Sequence, residues 1–283
     1  MNKFILNADD FGLSEAFNNA VSDGYKYGIL KSASLAANGD AFEEAVNQVI
    51  SGCPGLGVGV HLNIMEGKSL LDGLSALTDD NQNFNNSWIG VLFKSFCNNK
   101  LFLEQVENEF RAQIEKVRSA GVEITHLDSH VHTHAIPPLF KIVCKLAQEY
   151  GIKQVRTQFE KPYLIPDGSM YLNIKYYINL IKVLLLVFFT VINGFYLKHC
   201  GLDTNNYQLG VSYTSMMNSM TVLYGLNALK HKKGIVAEAL IHPCVYDDGT
   251  ADNHIAEYKI TKDEDLKEKI LQMGFEITNY KNQ

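Results

Sequence analysis

Residues 4–25, FILNADDFGLSEAFNNAVSDGY, contain a short apolar run followed by a segment with helical spacing. The apolar run at 4–6 has the character of a buried strand, and Ser14 is suited to cap the helix that follows. Asp9 and Asp10 stand between the two elements. No glycine-rich phosphate loop is found there, so this first strand–helix unit does not predict a nucleotide-binding fold.

The same alternation of strand and helix continues along the chain. It predicts further strands at 33–37, 57–62, 123–127, 153–156, 209–212 and 235–241, and helices at 41–50, 103–117, 137–150 and 266–273. Such regularity favours a mainly parallel sheet. We interpret residues 1–283 as a single α/β barrel domain, with the irregular residues 65–100 inserted at one rim.

Composition narrows the class of protein. Hydrophobic residues make up 46% of the chain and charged residues 20%, which is typical of a globular protein with a sizeable core. The net charge is −6 and no basic block occurs, which disfavours nucleic acid and anionic membranes as partners. The five cysteines form no CxxC pair, so we expect neither a disulfide framework nor a zinc finger, and we expect a cytoplasmic protein.

An apolar stretch at 183–192, VLLLVFFTVI, could suggest a membrane span. A spanning helix needs about 20 apolar residues, whereas Lys182 precedes this run and Asn193-Gly194 interrupts it. We therefore expect a helix packed on the body of the domain or at a subunit interface, and no membrane. Exposed apolar area on this helix would favour a homo-oligomer.

Polar residues of catalytic type follow the predicted strands at their carboxyl ends, where barrel enzymes gather their functional groups. A lone histidine at such a position is more often structural than a ligand. Here the co-location of many such residues predicts a site. They are Asp9 and Asp10 after the first strand, His61 after the third, THLDSHVHTH at 125–134 after the fourth, Arg156 after the fifth and His242 after the seventh.

This residue set matches the needs of metal-assisted hydrolysis. One aspartate oxygen and two imidazole nitrogens make a three-ligand metal site with open positions. A second carboxylate can accept the proton of the attacking water, and a histidine can protonate a leaving amine. Asp9 and Asp10 can share one site only if the strand breaks near them, because adjacent strand residues point to opposite faces. Phe11-Gly12 offers a place for that break.

Four segments, NADDFG at 7–12, GVHLN at 59–63, THLDSHVH at 125–132 and HP at 242–243, resemble those of YdjC-type carbohydrate deacetylases. That family includes chitooligosaccharide deacetylase, and the matches keep its order over almost the whole chain. The resemblance implies a distorted TIM-like barrel. It also implies release of acetate from N-acetylglucosamine-type oligosaccharides with a divalent metal ion, for which we expect Mg²⁺ ahead of Zn²⁺, Mn²⁺ or Co²⁺.

The resemblance also implies a role for individual residues. The metal ligands would be Asp10, His61 and His130. Asp9 would be the base, His242 the acid, and Arg156 would steady the base. We expect His132 to contact the substrate and His126 and His134 to be structural. Residues 158–207 look longer than in shorter members, and together with 65–100 they would border the sugar cleft.

Three other interpretations remain open at this stage. His126-Leu127-Asp128 matches the HxD of iron oxygenases, although their β-sandwich scaffold conflicts with the strand–helix alternation. His132-Thr133-His134 resembles the HxH of barrel phosphoesterases and amidohydrolases. A degenerate barrel that binds sugars without turnover is the third, but such a protein has no need of a general base.

Overall fold

The computed structural model describes residues 1–97, 99–246 and 253–283. Its sheet has seven strands, all paired in parallel, in the order β4-β3-β2-β1-β6-β5, with β7 also pairing with β1. The strands are β1 (Asn2–Phe11), β2 (Ser32–Leu35), β3 (Gly57–Leu62), β4 (Ile124–Ser129), β5 (Tyr207–Leu209), β6 (Val236–Ile241) and β7 (Phe275–Thr278).

Strand β1 is the longest and organises the sheet. One edge pairs with β6, while the other pairs with β7 along its first half and with β2 along its second half. Single-residue bridges, Leu127 to Val155 and Gln154 to Asp203, continue the sheet from β4 towards β5. The sheet therefore curls into a distorted barrel, and the predicted α/β barrel class is confirmed.

Helices surround this sheet. They are α1 (Glu15–Tyr27), α2 (Phe42–Glu44, continued as a π-helix at Ala45–Ile50), α3 (Trp88–Phe96), α4 (Lys100–Ser119), α5 (Pro137–Tyr150), α6 (Ile174–Cys200), α7 (Ser219–Leu229), α8 (His254–Thr261) and α9 (Glu264–Gln272). Short 3₁₀ segments occupy His130–Ala135, Gly168–Leu172 and Tyr280–Asn282. The irregular region at 65–100 thus includes one helix, α3, that its sequence does not predict. The assignment of the chain to one domain stays a prediction.

Two helices show how the sequence sets these elements. Helix α5 begins at Pro137, which needs no backbone partner there, and ends at Gly151 in the left-handed conformation (φ 71°). Helix α4 buries the predicted stripe of Val106, Phe110, Ile114 and Val117 completely. Each such side chain contributes about 1.5–3 kcal/mol to folding through burial, which anchors α4 on the sheet.

Two predicted strands differ from the structure for identifiable reasons. Residues 153–156 form only two isolated bridges and no strand. Val155 pairs with Leu127, whereas Gln154 pairs with Asp203, so no two successive residues share a partner strand. The strand predicted at 209–212 ends at Leu209. Gly210 turns the chain there with φ 118°, and the amides of the next two residues donate to the carboxylate of Glu160 instead of to a strand.

Candidate active site

The carboxyl ends of β1, β3, β4 and β6 bring the predicted site residues to one end of the sheet. Register pairs His61 on β3 with Asp128 on β4, and Ala8 on β1 with Ile241 on β6. Asp9 and Asp10 follow Ala8 on β1. His130 follows β4 and His242 follows β6 directly.

The backbone conformation of Asp10 allows both aspartates to face this end. Asp10 has φ 62°, in the left-handed region, and the pairing of β1 with β2 shifts register between Ala8 and Phe11. Asp9 and Asp10 therefore escape the strict alternation of strand side chains. The break predicted near Phe11-Gly12 occurs one residue earlier, at Asp10 itself.

A second strained segment lies beside the first. Val131 and His132 have φ 45° and 58°, so two successive non-glycine residues adopt the left-handed conformation. Each such residue costs about 1–2 kcal/mol. This double turn interrupts the 3₁₀ segment directly after His130. Strain of this kind persists only where the surrounding structure holds it in place.

Asp10, His61 and His130 form a compact cluster. The Asp10 Oδ1 atom lies 2.9 Å from His130 Nδ1 and 3.4 Å from His61 Nε2. The two imidazole rings meet edge to face, with centroids 5.7 Å apart. One ligand atom from each of the three residues lies within 4.8 Å of the others. The structure therefore brings the three predicted metal ligands together.

Asp128 controls the orientation of His61. Its Oδ1 atom lies 2.8 Å from His61 Nδ1, which leaves Nε2 directed at Asp10. Its other oxygen accepts a hydrogen bond from Ser34 Oγ at 2.5 Å and contacts Arg156. A carboxylate that fixes the second ring nitrogen of a ligand histidine is a common feature of metal sites.

The carboxylates dominate the electrostatics of the cluster. Burial lowers the histidine pKa values, but Asp128 and Asp10 outweigh it and raise the pKa of His61 to about 10. Asp10 and Glu66 likewise raise the pKa of His130 to about 9 against burial. Burial raises the pKa of Asp10, yet the two imidazoles hold it well below its usual value. One carboxylate and two imidazoles in this setting fit a divalent metal ion by donor chemistry and spacing.

Asp9 forms a two-point contact with the buried guanidinium of Arg156. Nη1 and Nη2 of Arg156 each donate to a different Asp9 oxygen at 2.7 Å. Asn7 Nδ2 donates to Asp9 Oδ1 at 2.7 Å as well. Burial raises the pKa of Asp9, but the charge and hydrogen bonds of Arg156 oppose this and the net effect is a lowered pKa. Asp9 is therefore ionised.

Arg156 also holds two other carboxylates. Its Nη2 atom lies 2.7 Å from Asp128 Oδ2 and 2.8 Å from Glu238 Oε1, and all of these side chains are buried. Burial lowers the arginine pKa, but the three carboxylates raise it well above its ordinary value. Burial raises the pKa of Glu238 to about 7 although Arg156 opposes it. The guanidinium thus links three strands through charge.

Replacing Arg156 with Met should destabilise the fold strongly. The substitution leaves three buried carboxylates without their cation, and such losses cost about 3–5 kcal/mol in free energy of unfolding. Urea unfolding at neutral pH measures the change. Arg111→Met is the matched control, because Arg111 pairs with Glu107 and Glu149 at the surface, where an ion pair contributes about 1 kcal/mol or less. Equal losses in the two variants would contradict this account.

His242 lies at the edge of the site, with 27% of its side chain exposed. Its backbone nitrogen donates to Glu257 Oε2 at 2.5 Å, and its Nδ1 lies 3.4 Å from the same oxygen. Burial lowers the pKa of His242. Glu257, with help from Asp10 and Asp9, outweighs burial and raises this pKa to about 9. His242 is therefore protonated at neutral pH, as a proton donor requires.

The other motif histidines are placed differently. His126 stacks on Tyr280 at 3.9 Å between ring centroids, and a Cβ on Gly59 would come within 2.4 Å of its ring. His134 lies within hydrogen-bond distance of Ser129 Oγ and of the Arg156 carbonyl. Both are enclosed in the protein. The Nδ1 of His132 is buried without a partner among the described residues.

Sequence reasoning missed three carboxylates that support the site: Asp128, Glu238 and Glu257. Asp128 stood within the motif but was considered only in the iron-oxygenase alternative, and Glu238 is the only charged residue in the strand VAEALI. A carboxylate in an apolar strand was a usable signal. Glu257 lies on α8, and nothing in its local sequence connects it with His242.

Comparison with known proteins places the chain in a family. The profile of the family described as YdjC-like protein matches residues 3–272. The fold and the site together define a class of protein: a parallel α/β barrel with a histidine–aspartate cluster at the ends of its strands. The chain belongs to the YdjC-like family.

Individual relatives agree with this assignment. The chain is 42% identical over 151 residues to "Carbohydrate deacetylase 1" of Listeria innocua serovar 6a, and 38% identical over 150 residues to "Carbohydrate deacetylase" of Clostridium beijerinckii. Each match covers 53% of this chain and 59% or 58% of the relative. The fold is similar to a crystal structure from Enterococcus faecalis V583, named as a putative cellobiose-phosphate cleavage protein. That similarity has a TM-score of 0.72 at 24% identity and covers 100% of this chain and 99% of the other.

Proposed function

We propose that this protein is a carbohydrate deacetylase that hydrolyses the N-acetyl group of N-acetylglucosamine-type oligosaccharides and releases acetate. The observation that carries the proposal is the Asp10–His61–His130 cluster directly beside the ionised Asp9. The names of the relatives, which each match over about half of this chain, support the same activity.

Asp10, His61 and His130 would hold a divalent cation. When bound, such a cation supplies Lewis-acid polarisation of a carbonyl group. Asp9 would accept a proton from water, because Arg156 lowers its pKa and so keeps the carboxylate ionised at neutral pH. Arg156 binds both Asp9 oxygens and so fixes the orientation of the base. The proposed roles of these residues rest on their position and charge.

His242 would complete the reaction by protonating the departing nitrogen. An amine leaves readily once its nitrogen carries the proton, whereas an amide anion leaves very poorly. His132 would contact the substrate, since its buried Nδ1 has no partner among the described residues and its backbone is held in a strained turn. Burial lowers the pKa of His132 to about 3, so its imidazole is neutral and able to accept a hydrogen bond.

The identity of the metal is part of the proposal. The family resemblance leads us to propose Mg²⁺, whereas two imidazole ligands favour transition metals such as Zn²⁺ by ligand preference. Metal analysis of the purified protein, followed by chelation and re-addition of Mg²⁺, Zn²⁺, Mn²⁺ or Co²⁺, decides between them. We also propose a cytoplasmic location and a single domain for the chain.

Activity should fall on the alkaline side as His242 loses its proton. The raised pKa of about 9 means that the acid form is present below that pH and is lost above it. Glu257→Gln removes the main cause of the raised pKa, so the alkaline limb of kcat/KM should move down towards the ordinary value of 6.5. A profile of kcat/KM against pH measures the shift. Glu264→Gln, at an exposed site on α9, is the control; an unmoved limb in Glu257→Gln would contradict the role of His242.

The proposed activity is tested by measuring acetate release from N-acetylglucosamine oligosaccharides, beginning with the diacetylated disaccharide. We expect release that stops on chelation and returns on addition of a divalent metal. Hydrolysis of phosphate esters without acetate release would move the protein to the phosphoesterase class. Sugar binding without any turnover would indicate a non-catalytic barrel.

A further inference from the structure

Helix α6 has one face fixed against the body of the protein. Asn193 Nδ2 donates to the Ala135 carbonyl at 2.8 Å, and Asn179 Nδ2 donates to the Thr214 carbonyl at 3.1 Å. These contacts hold the helix along the surface of the barrel. The buried residues recur at helical spacing: Tyr176, Asn179, Val183, Leu186, Phe189, Asn193 and Leu197.

The opposite face of α6 is apolar and exposed. Its large side chains are between about half and three-quarters exposed, and their spacing places them on one stripe along a helix about 40 Å long. Isolated exposed apolar residues are ordinary, but a continuous stripe of this length marks an interaction surface. The stripe consists of Ile174 (69%), Tyr177 (50%), Ile178 (49%), Ile181 (68%), Leu184 (68%), Phe188 (60%), Val191 (67%) and Phe195 (72%).

Helix α3 lies beside α6 and adds exposed apolar side chains. Ile89, Phe93 and Phe96 are 64%, 66% and 54% exposed. The ring of Phe96 contacts that of Phe189 on α6, with centroids 6.2 Å apart. We call the exposed stripe of α6 together with these three residues the α3–α6 surface.

Helices α3 and α6 carry lysines and no carboxylate, while Glu104 and Glu107 of α4 line the groove beside Phe96 and Tyr196. No carboxylate occurs between Asp167 and Asp203, or between Asp80 and Glu104. Helix α6 carries Lys175, Lys182 and Lys198, and all three are exposed. The whole chain has a net charge of −6, so α6 is a basic and apolar helix on an acidic protein.

We propose that the α3–α6 surface docks on an anionic phospholipid bilayer, with α6 lying parallel to the membrane plane. Apolar side chains of an interfacial helix enter the boundary between headgroups and acyl chains, while lysines extend to the lipid phosphates. Each lysine near an anionic leaflet contributes to binding. This proposal differs from the sequence-based expectation of no membrane, because the sequence does not reveal that one face of α6 is exposed along its length.

Two other arrangements fit α6 less well. Among the described residues, α6 is the helix long and apolar enough to cross a bilayer by length and composition alone. Crossing would require Asn179 and Asn193 to give up their contacts with the body and enter hydrocarbon. Pairing with α6 of a second copy brings lysines together whether the helices run parallel or antiparallel. The helix offers no carboxylate to balance them.

The test is binding of the full chain to vesicles. We expect cosedimentation with phosphatidylcholine vesicles that contain phosphatidylglycerol, with weaker binding at high salt and to phosphatidylcholine alone. The combined change Lys175→Gln, Lys182→Gln and Lys198→Gln should weaken binding by about 100-fold, from about fivefold for each lysine. The combined change Ile181→Ser, Phe188→Ser and Phe195→Ser should weaken it by about a thousandfold through lost apolar burial.

Leu271→Ser on α9 is the matched control, since Leu271 is 53% exposed and lies outside the α3–α6 surface. Thermal unfolding verifies that each variant is folded. We expect all of them to fold, because substitutions at exposed positions change stability little. The proposal is overturned if the wild type binds no vesicle, or if the serine variant binds as well as Leu271→Ser. The surface would instead be assigned to a second copy if the wild type binds no vesicles and is a dimer without lipid, while the serine variant is a monomer.

Discussion

Asp9→Asn should retain the metal content of the wild type and lose about 10²–10⁴-fold in kcat, the typical cost of removing a general base. Asn keeps the shape of the side chain and can still accept a hydrogen bond from Arg156. It has no affinity for the proton of an attacking water. Asp10, His61 and His130 remain in place, so the metal stoichiometry, measured by elemental analysis, should not change.

Glu238→Gln separates the loss of a base from the loss of charge around Arg156. Glu238 contacts the same Nη2 atom as Asp9 and is equally enclosed, but it belongs to the ion network and not to the metal cluster. We expect Glu238→Gln to retain most of its turnover. If it loses as much kcat as Asp9→Asn, the effect at Asp9 comes from disturbing Arg156 and another group is the base.

His130→Ala, His61→Ala and Asp10→Ala should each abolish stoichiometric metal binding and acetate release. A site with three protein ligands loses too much of its binding free energy when one is removed. Metal content after dialysis measures the first effect and an acetate assay the second. His231→Ala, which changes a histidine exposed at the surface, is the control for loss of histidine alone.

Retention of metal by His130→Ala would mean that another motif histidine is the ligand. His126 is held between Ser34 and Tyr280, so it has little freedom to reach the cluster. His132 has a buried Nδ1 that no other described residue contacts through a hydrogen bond, and it would take the place of His130. The double change His130→Ala and His132→Ala would then remove the metal.

Much of this fold could be predicted from the sequence, because the carboxyl ends of the strands carry recognisable residues. A buried strand followed by polar residues of catalytic type recurred at Asp9-Asp10, His61 and His242, and parallel strands bring such ends together. Proline and glycine gave the ends of α5 directly, at Pro137 and Gly151. These signals are local, so they survive without knowledge of tertiary contacts.

Features that depend on distant contacts could not be predicted. Gly210 ends β5 because Glu160, about fifty residues earlier, captures the following amides. The pairing of β7 with the first half of β1 joins the two ends of the chain. The raised pKa of His242 depends on Glu257 on a different element. The apolar run at 183–192 likewise predicted a helix there, but not that the helix extends over Ile174–Cys200 or which of its faces the protein would leave uncovered.

Laboratory evolution would act differently on two of the residues that have left-handed backbone conformations beside the cluster, Val131 and Asp10. At Val131, 46% exposed and β-branched, glycine relieves the strain of φ 45° without removing a proposed functional group. A selection for heat resistance therefore favours this change, and a selection for turnover does not oppose it. Glycine at Asp10 also relieves strain but deletes a proposed ligand, so the two selections oppose each other. A population evolved only for survival at high temperature would be free to discard Asp10 while it kept the barrel.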